Sequence, residues 1–406
     1  MFPDLFMHRN ALLIFTVAVL SRFIPALMVY GSADVLEWPI AVALYEQGQD
    51  PYMQNTVFNW PPFWLAVVRF LLHGGAIVKL PVHLVVKLLP IMSDGVIALV
   101  IYHILVKTGA GNRKAFIGSL FYALNPVSIV ITSVHGNFIS IPLAFLVLAS
   151  YSFLCGDKPV HVVLSSLALG CGIMSKIWPA VALPFFLVRI VSWKNRGVFT
   201  LLAIMPVVFS LFPIYFINKD LVVDRFITYQ SQAGWWGLTG IGQVWPSSFT
   251  TAFCNEYAKH GAKVLVIAII ALLFVSRRCD LARTLSVLLL VVVFLMNGFG
   301  PQYLVMLLPF AVISGDRWFL PYSMLVTVLF CFEYGLFKIP GCYGIPVTGP
   351  PYPDISYDAF LASARITNML RLPVWLFIGV WAGKELVGFF KLESGLTARA
   401  SSVRYN

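Results

Sequence analysis

The side chains that could do chemistry in this sequence gather in short polar stretches between long apolar runs. The stretch Gly31 to Trp60, GSADVLEWPIAVALYEQGQDPYMQNTVFNW, carries Asp34, Glu37, Glu46 and Asp50 and no Lys or Arg. A carboxylate held in place can accept a proton; one on a free loop is only a solvated acid. Glu37 and Glu46 read as solvated acids, whereas Asp34 stands within a few residues of the end of an apolar run, at an interface rather than on a loop tip. Lys176, in MSKIWP, either holds an anionic ligand or snorkels to lipid phosphate. In DRFITYQSQAGWWGLTG, Arg225 precedes the tandem Trp235-Trp236, which lies between glycines. Such a pair is either an interfacial belt or a flat surface on which a sugar ring stacks. His135 and Asn137 flank Gly136 in a turn, and Gln302 opens a later apolar run beside Tyr303. Cys254 and Cys342 both fall in outer segments, as a disulfide or as two unpaired thiols. Cys and His show no metal-ligand spacing, and no glycine-rich phosphate loop follows a strand.

The elements that must hold these residues are membrane helices. A chain of 406 residues that is 59% hydrophobic and 11% charged, with mean hydropathy +0.86, is not an ordinary soluble domain. The first apolar run, Ala11 to Tyr30, has no small-residue cleavage pattern behind it and reads as an uncleaved span. The net charge of +11 comes from basic residues placed singly or in small groups between apolar runs, which reports topology rather than a nucleic-acid surface. If Pro61 to Val78 lies flat on the outer surface, the main basic groups fall inside, among them Lys107, Arg113, Lys114, Lys194, Arg196, Arg277, Arg278 and Arg283. About twelve spans result, near 11–30, 82–106, 115–133, 139–155, 160–175, 178–191, 197–217, 262–276, 284–298, 302–314, 318–336 and 372–390, with both termini inside. The outer face receives segments 31–81, 218–261 and 337–371.

Within the first outer segment, Pro39 to Gln47 is expected as a short surface helix with Ile40, Ala43 and Leu44 on one face. Pro61-Pro62 opens a second, with Arg69 and His73 one turn apart. Arg22 lies inside the first span, where a charge costs about 2.5 to 3.5 kcal/mol on insertion scales and needs a partner. Asp94 in the second span is at matching depth, both lying ~12–15 Å below the outer edge at ~1.5 Å per residue, so an Arg22–Asp94 pair is expected to lock the two helices.

In order along the chain, SAD at 32–34, GQDPY at 48–52, NWPP at 59–62, SD at 93–94, NPVSIVITSVHGN at 125–137, MSKIWP at 174–179, DRFITYQSQAGWWGLTG at 224–240 and PQYLVMLLP at 301–309 resemble the GT-C class of membrane glycosyltransferases, in particular glycosylphosphatidylinositol mannosyltransferase I and its prokaryotic relatives. The resemblance implies one all-α polytopic membrane domain over 1–406. It has a GT-C module over 1–315, amphipathic juxtamembrane helices in the first loop, and C-terminal helices with the 337–371 loop over 316–406. It implies transfer of a hexose, mannose above all, from a polyprenyl-phosphate donor to a lipid-linked or glycan acceptor on the extracytoplasmic face, in a membrane expected to be a bacterial cytoplasmic one. Asp34 then maps onto the catalytic aspartate and is assigned as general base, with inversion. Lys176, Arg225, His135 and Arg69 would hold the donor phosphate, and Trp235, Trp236, Gln302, Tyr52, Asn59 and Asn137 would face sugar or acceptor. The family often has Asp-x-Asp where this chain has Ser32-Ala33-Asp34, so a divalent metal is disfavoured and no cofactor is required. Membrane lipids are partners and nucleic acid is not.

Two rivals remain: a transporter or flippase of lipid-linked sugars, against which the absence of repeated halves counts, and a non-catalytic membrane subunit, which fits the missing second aspartate. The topology has its own test. Cysteine labelling from outside should reach positions near Asp34, Asn137 and Trp235 but not near Arg113 or Arg278, and labelling at Arg113 would overturn the surface placement of Pro61 to Val78.

Overall fold

The computed structural model describes residues 2–52, 60–156, 158–217, 219–222, 233–234, 236–334 and 357–393. Among these residues the regular elements are all helical. The first half runs α1 (Phe2–Met28), α2 (Ala33–Glu46), α3 (Pro62–Ile77), α4 (Val82–Lys107), α5 (Asn112–Ala123), α6 (Pro126–Ile129), a π-helical turn (Val130–His135), α7 (Ser140–Leu154) and α8 (Pro159–Ser175). A 3₁₀ turn (Trp178–Ala182), α9 (Leu183–Leu187), α10 (Trp193–Ile217) and α11 (Lys219–Val222) follow. The rest comprises α12 (Ile241–Val244), α13 (Ser248–Val275), α14 (Leu281–Leu295), a 3₁₀ segment (Pro301–Met306), α15 (Leu307–Ser314), α16 (Phe319–Glu333) and α17 (Tyr357–Glu393).

Five described helices, in α1, α4, α10, α13 and α17, are long and apolar enough to cross a membrane, and six if the pair Asn112–Ala123 and Pro126–His135 is one span bent by 42°. The twelve expected spans include several that are shorter helices here. At 15 residues, α7, α14 and α16 are each ~22 Å long, against a hydrocarbon core of ~30 Å. The expected span 178–191 is a 3₁₀ turn followed by a five-residue helix. Conversely, α13 begins at Ser248, inside the expected outer loop, because Ser247 and Thr250 form a reciprocal capping box there. The bend between α5 and α6 falls at Asn125-Pro126, where proline cannot continue the ladder and the Asn125 side chain accepts from Val127 N–H at 3.0 Å.

The first surface helix starts at Ala33 rather than Pro39, and it buries a different face from the expected one. Val35, Trp38, Ala41 and Val42 are buried, whereas Ile40 is 50% exposed. Tertiary packing decides this: Trp38 meets Trp60, Trp64 and Phe138 edge-on, and Trp64 stacks on Phe138 with ring centroids 4.2 Å apart. The aromatic block binds α2 and α3 to the start of α7.

Arg22 and Asp94 are paired, both fully buried, with Nε 2.6 Å from Oδ2. Asp94 also accepts from Tyr122 (2.5 Å), Thr132 (2.6 Å) and Ser128 (3.1 Å). Arg22 donates further to the Ala18 and Ala123 carbonyls at 2.9 and 2.6 Å and to Ser128 Oγ at 2.7 Å. Burying two charges is tolerable only with this degree of satisfaction. The network ties α1 to α4, α5, α6 and the π-helical turn, and Gly95 lets the first two close, since a Cβ there would come within 2.8 Å of the Phe15 ring. Asp94→Ala or Arg22→Leu strands the surviving charge, so each should lower the thermal midpoint of the purified protein in detergent by the equivalent of about 3–5 kcal/mol; an unchanged midpoint would remove the pair's structural role.

Candidate functional site

Two chain segments meet above the Arg22–Asp94 network. The first leaves α1 through Val29 to Ser32 and places Asp34 in the opening turn of α2, where the helix dipole favours a carboxylate. The second is the π-helical turn ending at His135, followed by Gly136 in the left-handed region at φ +80. Ser32 N–H donates to His135 C=O at 2.8 Å and docks one segment on the other. Glycine is required on both sides of this crossing. A Cβ on Gly31 would lie 2.7 Å from Val35 Cγ2, and one on Gly136 would lie 2.5 Å from the same atom and 2.9 Å from Lys87 Cε.

The crossing brings three expected residues together. Asn137 Nδ2 donates to Asp34 Oδ2 at 2.7 Å, and its Oδ1 accepts from Ile139 N–H, so both ends of the amide are fixed. His135 Nε2 lies 3.9 Å from the same carboxylate oxygen, and its other ring nitrogen is 2.8 Å from the Tyr334 hydroxyl. The Asp34 side chain keeps 25% exposure while His135 keeps 10%, so the acid stays partly open at the protein surface and the imidazole stands behind it. His135 is therefore part of a buried cluster rather than a solvated turn. Lys176 follows α8 and lies over the Phe138 and Tyr303 rings at 5.4 and 5.0 Å; among the described residues no carboxylate pairs with it. Both Lys176 and Lys87 act electrostatically on His135.

Lys87 is the residue that sequence reasoning missed. It is fully buried in α4, and its Nζ donates to Val29 C=O at 2.7 Å, bracing the strand that leads to Asp34. A lysine inside an apolar run was the available signal. Glu37 is also more than a solvated acid: burial, and then the charge of Asp34, hold its carboxyl above the usual range.

Other expected site residues are placed differently. Arg69 is paired with Glu46 at 3.1 Å, and His73 lies 3.4 Å from the same carboxylate, so this cation serves the α2–α3 contact at the surface. Tyr52 is buried and donates to Trp60 C=O at 3.1 Å; burial pushes its phenol up. Trp236 is 1% exposed, closed between Phe299 and the Arg371 guanidinium, which sits 4.8 Å above its ring. Its ring is buried by these neighbours and leaves no open face for stacking. Gln302 is half-buried in the 3₁₀ segment beside Tyr303. Arg225, Trp235 and Asn59 lie outside the described residues, as does Cys342; Cys254 is a free thiol 3.5 Å from Thr239 C=O. Among the described residues no group of three or more His, Cys, Asp or Glu side chains is placed to share a metal ion.

A family model described as PIG-U, GPI transamidase subunit PIG-U, matches residues 29–232. The chain is 31% identical over 172 residues to GPI mannosyltransferase 1 of Candida albicans, a match covering 41% of this chain and 39% of that fungal protein. Of solved structures, ArnT from Cupriavidus metallidurans superposes with TM-score 0.56 when bound to undecaprenyl phosphate and 0.51 in the apo state, at 14% and 15% identity, each over 93% of this chain and 75% of that one. The resemblance read from the ordered motifs is thus borne out, and the fold is that of GT-C glycosyltransferases.

The crossing of the two segments can be tested apart from activity. Gly136→Ala and Gly48→Ala both put a side chain at positive φ, +80 and +74, but only Gly136 faces neighbours, nothing lying within 4 Å of a Cβ at Gly48. Both should pay the left-handed strain of ~1–2 kcal/mol. Gly136→Ala should lower the thermal midpoint clearly further, and equal losses would show that its contacts with Val35 and Lys87 carry no weight.

Proposed function

The chain belongs to the PIG-U family, and from that premise we propose that it is a membrane glycosyltransferase with Asp34 as general base. The observation that carries this reading is the Asp34 carboxylate itself: one oxygen is held by Asn137 at 2.7 Å and faced by His135, and the side chain remains partly open. A base fixed in this way with one oxygen available suits the removal of a proton from an acceptor hydroxyl.

The donor is a polyprenyl-phosphate hexose, with mannose favoured by the fungal relative's name and a polyprenyl phosphate by the lipid bound in the ArnT structure. The acceptor is a lipid-linked or glycan hydroxyl. In the reaction the acceptor O–H gives its proton to Asp34, and its oxygen forms a bond to the anomeric carbon from the face opposite the phosphate. The carbon–oxygen bond to phosphate breaks, the phosphate leaves with the electron pair, and the anomeric configuration inverts. Lys176, which has no acidic partner among the described residues, stabilises the charge on the departing phosphate. The alternation of basic clusters in the sequence supports an extracytoplasmic site.

A second reading, a non-catalytic membrane subunit, is favoured by the family's description as a transamidase subunit and by Ser32 standing where the resemblance to GT-C glycosyltransferases implies that another acid is often found. Its buried hydroxyl makes no hydrogen bond among the described residues. Purified protein incubated with radiolabelled polyprenyl-phosphate mannose and lipid-glycan acceptors separates the two. Turnover should fall by about 10²–10⁴-fold in Asp34→Asn, and Lys176→Met should lower kcat and kcat/KM for the donor together. Turnover indifferent to Asp34→Asn would end the mechanism, and lipid-glycan binding without any turnover would favour the subunit.

A further inference from the structure

The polar chain that begins at Asp34 does not stop at His135. Behind the imidazole stands Tyr334, the residue that closes α16, its hydroxyl 2.8 Å from His135 Nδ1. Its ring meets His135 and Phe330 edge-on, with centroids 6.0 and 5.4 Å away, and its backbone N–H donates to Phe330 C=O at 2.9 Å. The preceding residue, Glu333, is paired with Arg371 of α17, whose guanidinium caps Trp236. Tyr334 is thus held in place by elements that lie beyond residues 29–232, the segment that the family model covers.

We propose that Tyr334 is a positioning residue for the candidate site, acting by fixing the His135 tautomer; this rests on the reading of Asp34 as base. A phenol O–H that donates to Nδ1 makes that nitrogen an acceptor, so the ring proton sits on Nε2. Nε2 is the nitrogen that faces Asp34 Oδ2, 3.9 Å away, where Asn137 already donates. With Asn137 donating to Oδ2 and the Nε2–H turned toward it, the other carboxylate oxygen is the one left to receive the acceptor's proton. With the tautomer reversed, an unprotonated Nε2 would face the carboxylate, lone pair against anion. In this role His135 keeps its proton throughout and acts on Asp34 from behind the carboxylate.

Tyr334→Phe removes the hydroxyl and keeps both ring contacts. Its kcat is expected to fall roughly tenfold, the order of one hydrogen bond, with KM for the polyprenyl-phosphate donor unchanged and the thermal midpoint lowered by no more than the loss of that one buried hydrogen bond. The double variant Tyr334→Phe/His135→Ala should be no slower than His135→Ala alone. Wild-type kcat in Tyr334→Phe, or losses that multiply in the double variant, overturns the proposal. Asp34→Asn measured in parallel separates the two levels: if it stays active, the reading of Asp34 falls, whatever Tyr334→Phe does. The tautomer is also read without turnover, from ¹⁵N-histidine spectra assigned with His135→Asn. His135 should show a protonated Nε2 and a bare Nδ1 in the wild type and a mixture in Tyr334→Phe, and a proton on Nδ1 in the wild type sinks the idea.

Discussion

The Arg22–Asp94 ion pair is the interaction on which the candidate site depends. Inside a membrane neither charge could be buried alone, and water is not there to satisfy what the pair leaves over. Each partner therefore draws in every group within reach. Asp94 takes three hydroxyls besides the guanidinium, and Arg22 takes three carbonyls and two hydroxyls. Those groups come from α1, α4, α5, α6 and the π-helical turn, so satisfying two charges fixes the mutual position of five pieces of chain. The wider turn of the π-helical segment is part of the same requirement: it sets Thr132 onto Asp94 while delivering His135, three residues later, to Ser32.

From that anchor the site follows by short steps. Asp34 lies beyond the end of α1 and Asn137 beyond the end of the π-helical turn, and neither segment is long enough to wander. Lys87 braces the first at the Val29 carbonyl, and the Ser32–His135 hydrogen bond joins the two. Close approach needs the absent side chains of Gly31 and Gly136, with Val35 filling the space between them. On the outer side, the block of Trp38, Trp60, Trp64 and Phe138 holds α2 and α3 down, and Arg69 with Glu46 closes its rim. Rigidity below and an aromatic block above leave one carboxylate oriented and partly open, which is what base catalysis asks of it.

The C-terminal helices complete the same assembly. Arg371 of α17 pairs with Glu333 of α16 and covers Trp236, which sits at φ +53 in a conformation that only tight surroundings impose on so large a residue. Trp375 stacks on Phe294 at 4.7 Å and donates to its carbonyl at 3.1 Å, fastening α17 to α14. Through Tyr334 this packing reaches His135.

The sequence by itself determined the solvent, the membrane-helix architecture and the pairing of two opposite charges at one depth, because each follows from hydropathy along the chain and from the cost of an isolated intramembrane charge. It also singled out Asp34, His135 and Asn137, since polar residues at the ends of apolar runs stand out against their surroundings. Which face of α2 is buried, that Arg69 serves Glu46, that Trp236 is packed rather than open, and that Lys87 and Tyr334 belong to the site were decided only by tertiary structure. Lys87 is 53 positions from Asp34 and Tyr334 is 300, and no local pattern encodes such a distance. The folded chain brings them together because buried polar groups must find partners wherever the backbone carries them.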